Sequence, residues 1–154
     1  MKIITAIISI AIAQSAGLIG TFFTASSVTG WYMTINKPSW NLPSWVFGPV
    51  WTSLYVLMGI AAYLVWQQRD VPGAKLALSV YALQLAFNTL WSILFFGLKN
   101  PGLAFAEILV LLISILVTAV LFWRITPWAG ALMIPYIAWV SFATYLNYTI
   151  WQLN

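Results

Sequence analysis

No cysteine and no histidine occur in the 154 residues, and the only carboxylates are Asp70 and Glu107. Lack of cysteine excludes disulfides, thiolate nucleophiles and cysteine-based metal sites. Lack of histidine removes the commonest metal ligand and the side chain that titrates nearest neutral pH. Two acids so far apart in sequence make a poor case for a carboxylate pair or for an oxygen cage around a metal. Charge is scarce as well: charged residues make up 5%, against about 25% in a soluble domain. Six basic residues are scattered along the chain, and no basic run or patch suits nucleic acid. Hydrolytic and metal-assisted chemistry are thereby disfavoured, and no metal or required cofactor is expected.

Apolar residues make up 63% of the chain and aromatic residues 17%, too much for a water-soluble monomer. A helical membrane span needs about 20 apolar residues, and the hydropathy and breakers give five. The expected fold is all-α: a single domain, residues 1–154, folded as an integral membrane bundle of five transmembrane helices. These cover about 3–23, 46–66, 74–98, 102–123 and 127–151. Pro72-Gly73, Asn100-Pro101-Gly102 and Thr126-Pro127 separate the later spans, and Pro49 suits a first helical turn. The N-terminal stretch has some look of a signal peptide, but its apolar region continues to Phe23, so it is expected to be a retained first helix.

Lys2, Arg69, Lys75 and Arg124 fall on one side of such a bundle, Lys37 and Lys99 on the other. This bias favours a cytoplasmic N-terminus, and an all-helical chain without a cleaved signal suits the bacterial inner (plasma) membrane. Trp66, Trp123, Trp128, Tyr148 and Trp151 at span ends fit an aromatic belt. Small residues such as Ala82 and Ala86 would serve a homodimer or packing within the monomer equally.

The connector 24–45 is unlike the others, which are short. Long loops in compact proteins are usually functional or disordered, and Trp31, Tyr32, Trp40 and Trp45 with Pro38 and Pro43 argue against disorder. Two readings stand: a lid over the bundle, or an anchor lying on lipid.

Polar side chains are costly in a bilayer and usually face its protein interior. Helix three places Gln84, Asn88, Trp91 and Phe95 on one face. Helix five does so with Tyr136, Trp139, Ala143 and Asn147, and helix two with Trp51, Tyr55, Met58 or Gly59, Ala62 and Trp66. Either these stripes glue helices together or they line a pocket. Depth favours a pocket: at 1.5 Å per residue, Trp51 lies roughly 8 Å below the loop side, Trp91 roughly 10 Å and Trp139 roughly 18 Å. Aromatic faces with a few amides imply a large, planar, mostly apolar guest. Lys37 is the nearest cation for any carboxylates it bears, and without His or Cys a metal-free porphyrin is favoured over ligated haem. Glu107, the one acid within a span, suits either a functional role or the start of helix four, where the dipole steadies a carboxylate.

At these residues the chain resembles the translocator protein / tryptophan-rich sensory protein family (TspO/MBR, peripheral-type benzodiazepine receptor) over nearly its whole length. The resemblance is carried by Trp31-Tyr32, Lys37-Pro38-Ser39-Trp40, Pro43, Trp45-Val46, Gly48-Pro49-Val50-Trp51 and Leu54-Tyr55. Later in the chain come Asn88, Trp91, Pro135-Tyr136-Ile137-Ala138-Trp139 and Phe142-Ala143-Thr144. It implies a five-helix bundle, often a homodimer, that binds porphyrins such as protoporphyrin IX and benzodiazepine-type ligands under its first loop. Ligand contacts implied by position are Tyr32, Leu42, Phe47, Trp51, Tyr55, Asn88, Trp91, Ile108, Trp139, Ala143 and Leu146. Bacterial members imply a light-dependent porphyrin breakdown, with Trp51 and Trp139 in the catalytic positions. The cholesterol motif of animal members is incomplete here, because Leu146 to Gln152 ends without a basic residue. Three functions follow as expectations: a tetrapyrrole-binding sensor or regulator, a light- and oxygen-dependent porphyrin-degrading enzyme, and a small-molecule or sterol transporter.

Overall fold

The computed structural model describes residues 2–154 and contains, among them, helices and no strands. Helix α1 spans Lys2–Thr29, α2 Trp31–Thr34 and α3 Ser44–Gln67. Helix α4 spans Ala74–Ser92 and continues into a π-helical turn, Ile93–Gly97. Helices α5 (Pro101–Ile125), α6 (Pro127–Leu132) and α7 (Ile134–Leu153) complete the chain. Among the described residues, five spans are long and apolar enough to cross a membrane: α1, α3, α4 with its π turn, α5, and α6 with α7. The protein is an integral membrane protein, and Leu, Ile, Val and Phe side chains cover its outer surface, as lipid requires.

Local chemistry sets the helix ends. Asn100 caps α5 by accepting the Leu103 N–H at 3.0 Å, and Pro101 follows where a missing N–H does no harm. Gly73 starts α4 from a left-handed conformation, φ 92°, at no steric cost.

Three boundaries differ from the sequence-based expectation. Helix α1 continues to Thr29, so the connector is shorter than residues 24–45 and itself contains α2. Residues 25–29 hold no breaker before Gly30; Thr29 bonds back to the Ala25 carbonyl at 3.4 Å, and Ser27 reaches across to the Phe96 carbonyl at 2.8 Å. Pro49 lies inside α3 and not in its first turn, because the helix already begins at Ser44. There Pro49 deprives the Trp45 carbonyl of its donor four residues on. The last span is not one helix: it divides at Met133, where Pro135 withholds a donor from the Ala131 carbonyl.

The two ends of the bundle pack differently. Toward the α1 start, small residues let backbones touch: Ala13, Ala61, Ala74, Ala77 and Ala129 are fully buried. A Cβ on Gly59 would lie 2.5 Å from the Ile10 Cα, and Ser9 fastens this crossing by donating to the Gly59 carbonyl at 2.7 Å. Toward the α1 end, large aromatic residues hold the helices apart, and a cavity remains.

Candidate functional site

The cavity encloses about 390 Å³ and is walled by α1, α3, α4 with its π turn, and α7, with Tyr32 of α2 above. Such a volume is in the usual range for small-molecule sites, about 300–1,000 Å³. Eight residues expected as ligand contacts line it: Tyr32, Phe47, Trp51, Tyr55, Trp91, Trp139, Ala143 and Leu146. Their rings form a continuous wall. Trp51 stacks on Tyr55 (centroids 5.8 Å, 28° between planes) and meets Trp139 edge-on at 6.4 Å and 90°. Phe47 and Phe142 flank Trp139 at 5.8 and 5.6 Å. Across the cavity Trp91 stacks on Phe95 at 5.3 Å. The wide π turn brings the consecutive Phe95 and Phe96 both to the wall, a re-aiming that π turns commonly serve.

Leu42, Asn88 and Ile108 do not line the cavity. Leu42 lies in the connector, and Ile108 is buried in the α5 core, 1% exposed. Asn88 sits one layer lower, with its amide already spent. The Tyr55 hydroxyl donates to Asn88 Oδ1 at 2.5 Å, Asn88 Nδ2 donates to the Tyr136 hydroxyl at 2.8 Å, and Tyr136 donates to Gln84 Oε1 at 2.8 Å. Gln84 Nε2 ends the chain on Met58 Sδ at 3.7 Å. These buried groups satisfy one another across α3, α4 and α7 and form a rigid floor. Asn147 does line the cavity but also holds its wall, accepting from Trp91 Nε1 at 2.9 Å and donating to the Pro101 carbonyl at 2.8 Å.

Among the described residues, no charged side chain lines the cavity. Lys37, expected as a cation for ligand carboxylates, instead donates to the Tyr32 and Ile35 carbonyls at 2.7 and 3.1 Å and lies 4.9 Å over the Tyr32 ring. It fixes the connector. Asn36 and Asn154 add a reciprocal clasp: Asn154 Oδ1 accepts the Asn36 N–H at 3.0 Å, and Asn154 Nδ2 donates to the Asn36 carbonyl at 2.9 Å. Trp40 stacks on Tyr145 of α7 at 5.3 Å and 11°. Burial pushes the Tyr32 phenol above its ordinary pKa, an effect its bond to Asn41 partly offsets, so a neutral hydroxyl roofs the site. Glu107 lies off the cavity, its two carboxylate oxygens buried without a hydrogen-bond partner among the described residues.

The α1 wall is absent from the sequence-based expectation. Gln14, Gly17, Thr21, Thr24 and Val28 line the cavity at steps of three and four, one face of the helix. That small and hydroxyl stripe in an otherwise aliphatic span was the available signal. Leu18, Thr21 and Ala25 of α1 and Gly48 and Thr52 of α3 are exposed, so this seam is the cavity's open side.

Comparison with known proteins agrees with this architecture. The TspO/MBR family profile matches residues 9–152. The tryptophan-rich sensory protein of Cereibacter sphaeroides is 46% identical over 124 residues, covering 80% of this chain and 77% of its own length. A tryptophan-rich protein TspO from Chlorobaculum tepidum is 40% identical over 157 residues, covering 99% of this chain and 98% of its own. The human translocator protein is 38% identical over 146 residues, covering 93% and 86% respectively.

Proposed function

The chain belongs to the TspO/MBR family, and on that premise we propose that it is a membrane sensor or regulator that binds tetrapyrroles such as protoporphyrin IX and also takes benzodiazepine-type ligands. The observation that carries this reading is the uncharged cavity walled by Phe47, Trp51, Tyr55, Trp91, Phe95 and Trp139. A flat conjugated ring gains stacking on such a wall, whereas a buried charge there finds no partner. The macrocycle therefore lies inside, against the rings. Closure of the Tyr32 roof, which Lys37 holds through the Tyr32 and Ile35 carbonyls, would be the event a partner reads. Protoporphyrin titrated into the protein in detergent quenches tryptophan fluorescence saturably, and Trp51→Ala weakens that binding. Quenching that never saturates, or that is equal in Trp51→Ala, refutes the reading.

A second reading rests on the edge-on pair Trp51 and Trp139, both on the cavity wall. An indole beside a photoexcited macrocycle and dioxygen can pass an electron to it or take up the oxidation itself. Under light and oxygen a defined porphyrin product forms, and Trp51→Phe and Trp139→Phe abolish it while binding persists. Equal bleaching of free porphyrin overturns the enzymatic reading alone.

A further inference from the structure

At the opposite end of the bundle a second groove, about 450 Å³, is lined by Lys2, Thr5, Tyr63, Trp66, Gln67 and Arg69. Lys2 and Thr5 stand one turn apart at the start of α1. Tyr63, Trp66 and Gln67 share one face of the last turns of α3, and Arg69 follows in the turn. Tyr and Trp at a span end belong at headgroup level, which places this groove at the lipid–water boundary.

The donors of Arg69 and Tyr63 are arranged and largely unspent. The Arg69 guanidinium lies 4.9 Å from the Trp66 ring and gives one N–H to the Trp66 carbonyl at 3.1 Å, leaving most of its five donors available. Gln67 Nε2 donates to the Tyr63 hydroxyl at 2.7 Å, so the Tyr63 proton is free to point outward. Among the described residues, neither Lys2 nor Arg69 has a carboxylate within 4 Å, Asp70 included. Lys75 and Arg124, near the α4 start and the α5 end, lie at the same end of the bundle and add to its positive potential.

We propose that this groove binds the phosphate of an anionic phospholipid headgroup. Lys2 and Arg69 are its cationic walls, the Tyr63 hydroxyl adds a neutral donor, and the Trp66 ring lies beside the glycerol region. A soluble phosphate ester offers the same anion, but the groove's place at the end of two lipid-facing helices favours the lipid.

The test is native mass spectrometry of the full chain in detergent, titrated with phosphatidylglycerol, phosphatidylcholine and water-soluble glycerol 3-phosphate. One phosphatidylglycerol is retained per chain with a preference of at least about tenfold over phosphatidylcholine. The pair Lys2→Gln/Arg69→Gln loses that preference, whereas Lys75→Gln/Arg124→Gln, at the same end but outside the groove, keeps it. Equal retention of both lipids, or an unchanged preference in Lys2→Gln/Arg69→Gln, overturns the proposal. Displacement of the lipid by equimolar glycerol 3-phosphate overturns the lipid assignment in favour of a soluble phosphate. Protoporphyrin quenching, at the far end of the bundle, stays at the wild-type level in both variants and shows that each is folded.

Discussion

Replacing Asn88 with alanine separates a structural role from a ligand contact. Its amide accepts from Tyr55 and donates to Tyr136, and it does not reach the cavity. Truncation leaves the Tyr55 O–H, on a residue 6% exposed, without its acceptor; stranding such a donor costs about 1–3 kcal/mol. Tyr136 keeps its bond to Gln84 and loses only an incoming one, about 0.5–1.5 kcal/mol. Between helices in lipid the unfolded reference state also finds partners, which lowers such values toward about 0.6 kcal/mol per bond. The expected loss is therefore about 1–4 kcal/mol of stability. Thermal unfolding in detergent is expected to show it as a lowered midpoint. Protoporphyrin affinity, read by tryptophan quenching at a temperature where the variant is folded, changes by less than about threefold. Trp51→Ala gives the reverse profile, with binding weakened at least about tenfold. Asn88→Ala with a wild-type midpoint and tenfold weaker binding would falsify this assignment, because the amide would then have to touch the guest.

Gly48→Leu places a side chain where a Cβ meets nothing within 4 Å, at the cavity's open side; helix propensity keeps or raises stability while tetrapyrrole affinity falls at least about tenfold. Gly59→Ala acts oppositely, since its Cβ meets the Ile10 backbone at 2.5 Å; stability falls by about 1–3 kcal/mol, read as a lowered thermal midpoint. Lys37→Met removes two donations that hold the connector, so stopped-flow dissociation of a bound ligand speeds up about threefold or more; an unchanged off-rate shows that the roof is fixed by other contacts. Affinity for a neutral ligand is flat between about pH 6 and about pH 9 and weakens only above about pH 10. The buried Tyr32 phenol has a raised pKa, so the open form, with its phenol in water, ionises first and draws the roof away as pH rises. Isothermal titration across that range decides it, and a midpoint near neutral pH would contradict it.

What sequence reveals about this chain follows from what leaves a periodic trace. Aromatic stripes on the second, third and fifth spans repeat at three and four residues, and the helical twist brings Trp51, Tyr55, Trp91 and Trp139 to one cavity. The α1 wall carries the same period in Gly17, Thr21, Thr24 and Val28, but small and hydroxyl residues in an apolar run resemble ordinary packing. Residue type does not say where an amide spends its bonds: Asn88 and Asn147 look alike in sequence, yet only Asn147 lines the cavity. No residue marks the π turn, which brings the consecutive Phe95 and Phe96 both to the cavity wall. Nor does composition locate the end of α1, because serine and threonine back-bonded to their own helix tolerate it until Gly30.

The close crossing of Gly59 with Ile10 makes the bundle behave like a clothes-peg. One end of the jaws is held by backbone contact and Gln14 Nε2 ties the seam to the Thr52 carbonyl at 3.1 Å, so any opening of α1 against α3 is confined to the end beyond that bond, where Leu18 and Gly48 are exposed. Under the proposed function, guests of different thickness would be met by small changes of splay about that fixed fulcrum, without repacking the interior. A substitution at Gly59, far from any guest, loosens the grip on all of them.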